Sequence, residues 1–148
     1  MNTIKISRAK VIEAQKIRKL ESKVWGEEVT NKYDEPMFIR FGWCFVAKDK
    51  QKIVGAIVAF LTRDNEVFVS DWVIDRLYRH QDIGLHLYQR LIKEVKGRNI
   101  ISLINPKNKA SLLAHQKLGF KVVRTIKNAY ALPRGLDGRS SILVRLKN

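Results

Sequence analysis

The period of the apolar residues changes several times along the chain, and the order of those changes restricts the fold more than any other feature. The first segment, Thr3 to Ala9, alternates apolar and polar residues as a strand does. From Lys10 the apolar residues recur every three or four positions, which predicts a helix that ends at Gly26. The stretch around Pro36 has no such period, and we expect it to be irregular.

The remaining segments alternate between strand and helix patterns. Strands are predicted at 43–49, 52–62, 66–75, 100–104, 120–126 and 140–146, and helices from Ile83 towards Gly97 and from Asn108 to Gly119. Short turns join the first three of these strands, which should form an antiparallel meander. This order predicts an α/β fold with a mixed, mostly antiparallel central sheet and helices on both faces.

The composition fits a single domain over residues 1–148. Of its 148 residues 45% are apolar, which is enough to build one sizeable core. No run approaches the roughly 18 apolar residues of a membrane span, and the start "MNTIKISRAK" has no apolar region like that of a signal peptide. We therefore expect a cytoplasmic protein that does not enter a membrane. Cys44 is the single cysteine, and its apolar neighbours predict a buried side chain.

The formal net charge of +15 is high for a chain of this size. A positive field attracts phosphorylated ligands, nucleic acid and acidic protein surfaces, and it does not choose among them. The Lys and Arg residues are scattered along the whole sequence, which has no RNA-recognition signature. This scatter favours an ordinary solvated surface, and nucleic acid is expected to bind only nonspecifically.

Several common sites are excluded because their motifs are missing. The sequence contains no G-x-x-x-x-G-K-S/T phosphate loop, no G-x-G-x-x-G dinucleotide motif and no G-x-S-x-G elbow. The three histidines, His80, His86 and His115, have neither cysteine partners nor the spacing of zinc ligands. We therefore predict no metal site.

One turn has the properties of an anion site. The residues from Arg79 to Gly84 lie between a predicted strand and the helix that begins near Ile83. The first N–H groups of a helix have no acceptor within it, and together they attract an anion. The carboxylate of Asp82 would repel a phosphate charge about 6 Å away. At an effective dielectric constant of 20 this repulsion would cost roughly 2–3 kcal/mol. Nearby arginines such as Arg76 would offset this repulsion.

Two segments carry a more specific pattern when they are taken together. The turn from Arg79 to Gly84 partly matches Gln/Arg-x-x-Gly-x-Gly/Ala, with Asp82 in place of the first glycine. The segment "NPKNKASLLAHQKLGF" opens with Asn-Pro-x-Asn at 105–108 and closes with Leu-Gly-Phe at 118–120. His115 stands where a tyrosine is usual. At this separation the segments resemble the core motifs of the GNAT superfamily of acyl-CoA-dependent N-acetyltransferases, and the order of elements resembles that fold over nearly the whole chain.

The resemblance implies that acetyl-CoA binds where two parallel strands splay apart, here the strand ending at Ile74 and the strand at 100–104. The backbone of Val73 and Ile74 would pair with the pantetheine arm. Asn105 and Asn108 would also contact the cofactor, although Asn108 fits equally well as the cap of its helix. The pyrophosphate would bind the backbone of the turn formed by Arg79, His80, Gln81, Asp82, Ile83 and Gly84.

The same resemblance suggests catalytic residues. His115 takes the tyrosine position and would protonate the departing thiolate, or alternatively it packs within its helix. Asp71 stands where many family members carry a carboxylate base, and Glu66 is a more distant candidate. Alternation puts Asp71 on the opposite face from Ser70 and Trp72 without identifying the face that lies in the site. Water molecules alone could also take the proton from the amine.

The implied activity is transfer of an acetyl group from acetyl-CoA to a primary amine of a small molecule or a protein. The alternative is a noncatalytic protein of the same fold whose basic surface binds RNA or an acidic protein partner. Substrate specificity should lie in the segments 25–42 and 128–140, neither of which has a recognisable pattern. A positive field favours phosphorylated or carboxylated amines over polyamines. The resemblance also allows a homodimer formed through terminal strands.

Overall fold

The strands form one sheet in the computed structural model, which describes residues 3–131 and 140–148. They are β1 Ile4–Arg8, β2 Trp43–Asp49, β3 Lys52–Leu61, β4 Val67–Ile74, β5 Ile100–Ile104, β6 Lys121–Ile126 and β7 Ser141–Leu146. In the described residues the sheet has seven strands in the order β1-β2-β3-β4-β5-β7-β6. Neighbouring strands are antiparallel except β4 and β5, which are parallel. The prediction of a mixed, mostly antiparallel sheet is confirmed.

Helices cover both faces of this sheet, as predicted. They are α1 Ala14–Trp25, α2 Asp34–Phe41, α3 Ile83–Glu94 and α4 Lys109–Lys117, with short 3₁₀ turns at Val11–Glu13 and Arg76–Tyr78. Ile17 of α1 and Ile39 of α2 pack in one buried cluster. Leu87 and Leu91 of α3 pack in the other, which Leu112 of α4 also contacts. The central strands therefore lie between two layers of helices.

Strand β3 contributes to both clusters. From Ala56 to Ala59 successive residues alternate between the cluster under α1 and α2 and the cluster under α3. All four positions are buried, so the strand appears in the sequence as a continuous apolar run.

Helix α2 lies in the stretch around Pro36, where irregular structure was expected, and that expectation is wrong. The side-chain oxygen of Asn31 accepts the N–H groups of Tyr33 and Asp34, both at 2.8 Å, and so fixes the start of the helix. Pro36 lies in the first turn, where its missing N–H costs no intrahelical bond. Because α2 has 8 residues, it is too short to show a clear apolar period.

The predicted ends of α1 and α4 are confirmed, whereas α3 ends at Glu94, before the predicted stop at Gly97. Gly26 and Gly119 adopt the left-handed backbone region, with φ angles of 77° and 101°. Asn108 caps α4, since its side-chain oxygen accepts the N–H of Ser111 at 3.1 Å. Cys44 is buried, as predicted.

Two regions bear on expectations about partners and membranes. Strand β6 lies at one edge of the sheet and is mostly exposed. The homodimer formed through terminal strands stays a prediction. Of the predicted specificity segment 128–140, the part from 132 to 139 lies outside the described residues. Among the helices of residues 3–131 and 140–148, none has both the length and the apolar character needed to cross a bilayer.

Candidate active site

The sheet opens between β4 and β5. These parallel strands pair from Val67 to Val69, opposite Ile100 to Ser102, and then separate. Each strand continues beyond that point, β4 to Ile74 and β5 to Ile104. The splayed parallel pair is confirmed, and it leaves backbone groups on the separated edges for an extended ligand.

The register of β4 identifies the residues that face this gap. The N–H of Asp75 donates to the carbonyl of Val54 on β3 at 2.8 Å. In an antiparallel ladder alternate residues bond to the same neighbour, so the backbone of Val73 is also directed towards β3. The backbone groups of Trp72 and Ile74 therefore face the gap. Of the two residues predicted to pair with pantetheine, Ile74 is oriented for that role and Val73 is not.

A β-bulge in β4 determines the direction of its side chains. The pairing between β3 and β4 shifts at Ser70, which has no partner residue on β3. Ser70 is therefore the extra residue of the bulge. After the bulge Trp72 packs in the cluster under α3 and Val73 packs in the cluster under α1 and α2. Alternation then places Asp71 on the side of α1, which answers the question that the sequence left open.

The turn before α3 has the backbone conformation of an anion site. His80 and Asp82 have φ angles of 64° and 61°, in a region that Asp tolerates better than most residues. Asp82 is the N-cap residue, and its carbonyl accepts the N–H of His86 at 3.0 Å. The three N–H groups before His86, at 83–85, therefore have no acceptor within α3.

A first pocket opens beside this turn, and α4 contributes to its lining. Arg79, His80 and Lys117 give it basic groups. Ile74 of β4 also lines it. Of the six residues predicted for the pyrophosphate, Arg79, His80, Asp82, Ile83 and Gly84 line this pocket, and Gln81 is exposed outside the lining.

Gly84 packs against the indole ring of Trp72. A Cβ atom at position 84 would lie 2.9 Å from the ring, and the indole N–H donates to the carbonyl of Gly84 at 3.1 Å. This contact requires a glycine independently of any phosphate. Trp72 also lines a second pocket, so its side chain lies between the two.

The second pocket surrounds the separated strand ends. Asp71 and His115 line it, as do Asn105 and Asn108. Among the described residues of its lining none is Lys or Arg, so this pocket is acidic although the chain is strongly basic. Other side chains in its lining are those of Trp25, Glu27, Glu28 and Tyr130.

The two asparagines fix the loop between β5 and α4. The side-chain oxygen of Asn105 accepts the N–H of Lys107 at 3.0 Å, and its carbonyl accepts the N–H of Asn108 at 2.8 Å. Together with the cap that Asn108 provides, these bonds explain both residues structurally. Both side chains also line the second pocket, and their contact with a cofactor stays a prediction.

His115 is buried in an aromatic cluster. Its side chain is 2% exposed and makes edge-to-face contacts with Trp72, Tyr88 and Phe120. Nδ1 lies 2.7 Å from the carbonyl oxygen of Ser111, which can only accept, so the ring proton is assigned to Nδ1. Nε2 then accepts from the hydroxyl of Tyr88 at 2.9 Å. Burial lowers the pKa of His115, and this geometry favours the packing role over the predicted acid.

Asp71 brings a carboxyl group to the edge of the gap. Its Oδ1 accepts the backbone N–H of Trp72, which faces the gap, at 2.9 Å. The same oxygen accepts the indole N–H of Trp25 at 3.0 Å. Glu66, the other candidate base, is instead bound by Arg145 through contacts of 2.6 and 3.1 Å. The geometry therefore favours Asp71 as the base.

The sequence alone does not identify several side chains around the second pocket. Trp25 and Tyr130 fell within the predicted specificity segments without a role of their own. Glu21 and Glu35 lie behind Asp71 and are 2% and 1% exposed. Glu21 follows Ile17 by four residues on the buried stripe of α1, and a carboxyl group on that stripe was the signal that could have revealed it.

Known proteins with a similar fold share this arrangement of strands and helices. Arabidopsis thaliana NAA60 in complex with acetyl-CoA has a TM-score of 0.85 at 14% identity, over 97% of this chain and 98% of that chain. Arabidopsis thaliana Naa50 in complex with the bisubstrate analogue CoA-Ac-MVNAL has a TM-score of 0.82 at 17% identity, over 99% of this chain and 100% of that chain. The ribosomal-protein-S18-alanine N-acetyltransferase from Escherichia coli has a TM-score of 0.77 at 20% identity, over 97% and 92%.

The family follows from the sequence match. Sequence comparison with curated proteins finds no match. The sequence model of the Acetyltransferase (GNAT) family matches residues 14–120, a span that runs from the start of α1 to the end of the second motif and covers most of the chain. The chain therefore belongs to the GNAT family of acetyltransferases.

Proposed function

We propose that this protein transfers an acetyl group from acetyl-CoA to a primary amine of a small molecule or a protein. The observation that carries the proposal is the gap between β4 and β5, with the basic first pocket beside the turn before α3 on one side and an acidic pocket on the other. An extended pantetheine arm lying in such a gap would bring its thioester from the first pocket to the second.

Acetyl-CoA suits the first pocket in charge and in hydrogen bonding. Its pyrophosphate would accept bonds from the N–H groups at 83–85 and would be partly neutralised by Arg79 and Lys117. The backbone of Ile74 would pair with the pantetheine arm, because the N–H of Trp72 is already bound to Asp71. The solved complex of the similar NAA60 with acetyl-CoA supports this choice of donor.

Acetyl transfer needs a proton acceptor for the ammonium ion, a donor for the carbonyl oxygen and a proton for the thiolate. Asp71 would accept the proton of the ammonium ion, since its carboxyl group lies at the gap. The N–H of Ile74 faces the gap and is the donor available to an acyl or pantetheine oxygen. Both ring nitrogens of His115 are engaged, so the thiolate would take its proton through water.

The second pocket favours a cationic amine over the phosphorylated or carboxylated amines that the net charge suggested. Asp71 and Glu27 line it, together with Glu28, which is paired with Arg18 at 3.6 Å, and the aromatic side chain of Trp25 is also in the lining. Charges within the pocket act more strongly than basic groups farther away than a Debye length of about 8–10 Å. Two similar structures have names that refer to a peptide or a protein amine, which supports a peptide α-amine as acceptor.

Thiol release from acetyl-CoA, measured with matched amines, tests the proposal. One acceptor would be an amino-acid amide, which is cationic, and its partner the free amino acid, which adds a carboxylate. We expect a higher kcat/KM for the amide, because the acidic lining repels the carboxylate. Binding of acetyl-CoA without thiol release from any amine would contradict the proposal and favour the noncatalytic alternative.

A further inference from the structure

A cluster of three carboxyl groups extends from the second pocket into the protein. Glu21 of α1 and Glu35 of α2 are both almost fully buried. Glu21 is in hydrogen-bonding contact with Glu35 and with Asp71, which lines the pocket. Asp71 therefore connects the place where an amine would bind to two carboxyl groups that solvent does not reach.

Each of these carboxyl groups has one oxygen without a bond. Among the described residues Glu21 Oε1, Glu35 Oε1 and Asp71 Oδ2 have no hydrogen-bond partner, and the hydroxyl of Thr30 beside Glu35 is the nearest neutral donor. A buried oxygen without a donor is costly, and three such atoms in one cluster need a common explanation. Protons carried by the carboxyl groups themselves provide it, because a protonated carboxyl group donates to its neighbour.

The groups that face the cluster leave it short of positive charge. Arg18 of α1 acts on Glu35, but its guanidinium also contacts the carboxylate of Glu28 at 3.6 Å and the carbonyl of Thr30 at 3.3 Å. Cys44 of β2 contributes no charge, because burial raises the pKa of its thiol. No group of three or more His, Cys, Asp or Glu side chains in the described part of the chain could hold a metal ion.

The protonation of the cluster follows from this environment. Burial, followed by contact with Asp71 and Glu35, raises the pKa of Glu21 to about 12. Burial also raises the pKa of Glu35. Glu21 therefore holds a proton at neutral pH, which it can share with both neighbours.

We propose that Glu21 and Glu35 act with Asp71 as one proton-accepting unit, in which Asp71 takes a proton from the bound ammonium ion and the three carboxyl groups share it. The inference rests on the proposed acetyl transfer. Glu21 and Glu35 do not touch the substrate and act through Asp71, so they are positioning residues. When Asp71 takes up the proton of the ammonium ion, Glu21 can pass its own proton to Glu35, so the added proton is shared over the three carboxyl groups.

The proposed step balances. R–NH₃⁺ and the carboxylate of Asp71 give R–NH₂ and a carboxylic acid. The nitrogen lone pair then forms the N–C bond, and the C–S electron pair leaves on the sulfur of CoA. A second proton of the nitrogen reaches this thiolate through water, and the proton of the cluster returns to solvent through the pocket after the products leave.

Infrared spectroscopy tests the shared proton without requiring activity. At pH 7 the wild-type protein should show the C=O stretch of a protonated carboxyl group, and the Glu21→Gln variant should lose it. Glu13→Gln is the matched control, because Glu13 is also buried but is paired with Lys48. Burial works against ionisation of Glu13, yet the pairing lowers its pKa, so this variant should keep the band of the wild type.

The pH profile of kcat/KM tests the role in acetyl transfer, with an amino-acid amide as the amine. For Glu21→Gln we expect kcat/KM to fall roughly tenfold to a hundredfold, with the acid limb of the profile moved to lower pH. Gln can donate to Asp71 as protonated Glu21 does, but it cannot pass a proton to Glu35, so the added proton stays on Asp71 alone. Glu35→Gln should shift the profile in the same direction, and Glu13→Gln should leave it unchanged.

The outcomes separate this inference from the proposed function. An absent carboxylic band, or an unchanged profile in a Glu21→Gln variant that folds, would overturn the proton-accepting unit while acetyl transfer stands. A wild-type protein that releases no thiol with any amine would contradict the proposed function, and with it the role of the unit in catalysis. Loss of the band and a shifted profile together would support the proposal.

Discussion

The two pockets on either side of Trp72 are built in different ways. The first depends mainly on the backbone of consecutive residues, from the turn at Arg79 to the start of α3. The second depends on side chains from α1, β4, β5 and α4 that are far apart in the sequence. A site made by a continuous segment leaves a motif, and a site made by distant side chains leaves none.

The pockets also differ in charge. Arg79 and Lys117 make the first basic, as the net charge of +15 would suggest, while Glu27, Glu28 and Asp71 make the second acidic. A charge summed over the whole chain therefore describes the cofactor side better than the amine side. Substitutions in one pocket should therefore leave the other pocket's ligand unaffected.

Asp71→Asn should separate the pockets most strongly. Loss of the proton acceptor is expected to lower kcat/KM by roughly a hundredfold or more, with the affinity for acetyl-CoA unchanged. Steady-state kinetics and calorimetric titration provide the two readouts. Glu66→Gln is the control, because Glu66 is bound to Arg145 and should leave kcat/KM unaffected. Equal losses in both variants would remove Asp71 from the chemistry.

Glu21→Gln should stabilise the protein at pH 7. The pKa of Glu21 is raised from 4.5 to about 12, so the folded state keeps a proton that the unfolded chain releases above pH 4.5. This costs up to about 3 kcal/mol at pH 7, and Gln does not bear that cost. The wild type loses stability relative to the variant as pH rises above 4.5. The free energies of unfolding of the two proteins should therefore become equal near pH 4. Chemical unfolding at both pH values measures this, and a less stable variant at pH 7 would contradict it.

Gly84→Ala should affect the first pocket and the wall that Trp72 forms. The added Cβ would meet the indole ring at 2.9 Å, which should lower the free energy of unfolding by about 1–3 kcal/mol and weaken acetyl-CoA binding. Gly97→Ala is the matched control: its φ of 91° strains an alanine, but no atom lies within 4 Å of the new Cβ. Equal acetyl-CoA affinities for the two variants would show that position 84 acts only through stability.

His115→Phe should have the smallest effect on catalysis. It removes Nε2 as the acceptor of the buried Tyr88 hydroxyl, which keeps its contact with Ser102, so we expect a loss of about 1–2 kcal/mol of stability with kcat unchanged. Burial lowers the pKa of His115, so the wild type itself loses stability as pH falls below 6.5, and the difference between the proteins should shrink there. A lower kcat with unchanged acetyl-CoA affinity would instead restore His115 as the acid.

The fold could be predicted from the sequence wherever a segment had a long, regular period. Strands β1 to β7 and helices α1, α3 and α4 fall in the predicted segments, because their buried residues repeat over several turns or strand positions. Helix α2 was missed because its start depends on a side-chain bond from Asn31 rather than on apolar spacing. Motif resemblance identified the opening between β4 and β5, which no local pattern reveals.

The site could be predicted only in part, for physical reasons. The left-handed backbone of Asp82 agrees with the tolerance expected of Asp. The reason for Gly84 lies in the packing of Trp72, which the sequence does not place near it. The direction of Asp71 depends on a bulge at Ser70, and the burial of Glu21 and Glu35 depends on how α1 and α2 pack on the sheet. These features appear only when distant segments are brought together.

Calorimetric titration of the protein with acetyl-CoA at physiological salt, with ATP as a polyanion control, measures whether the two pockets share one cofactor. If the turn before α3 and the gap beside β4 together form a site for acetyl-CoA, one molecule should bind per chain, and ATP should bind much more weakly because it has no pantetheine arm to pair with β4. Equal binding of both ligands, or no binding of acetyl-CoA, would contradict the account.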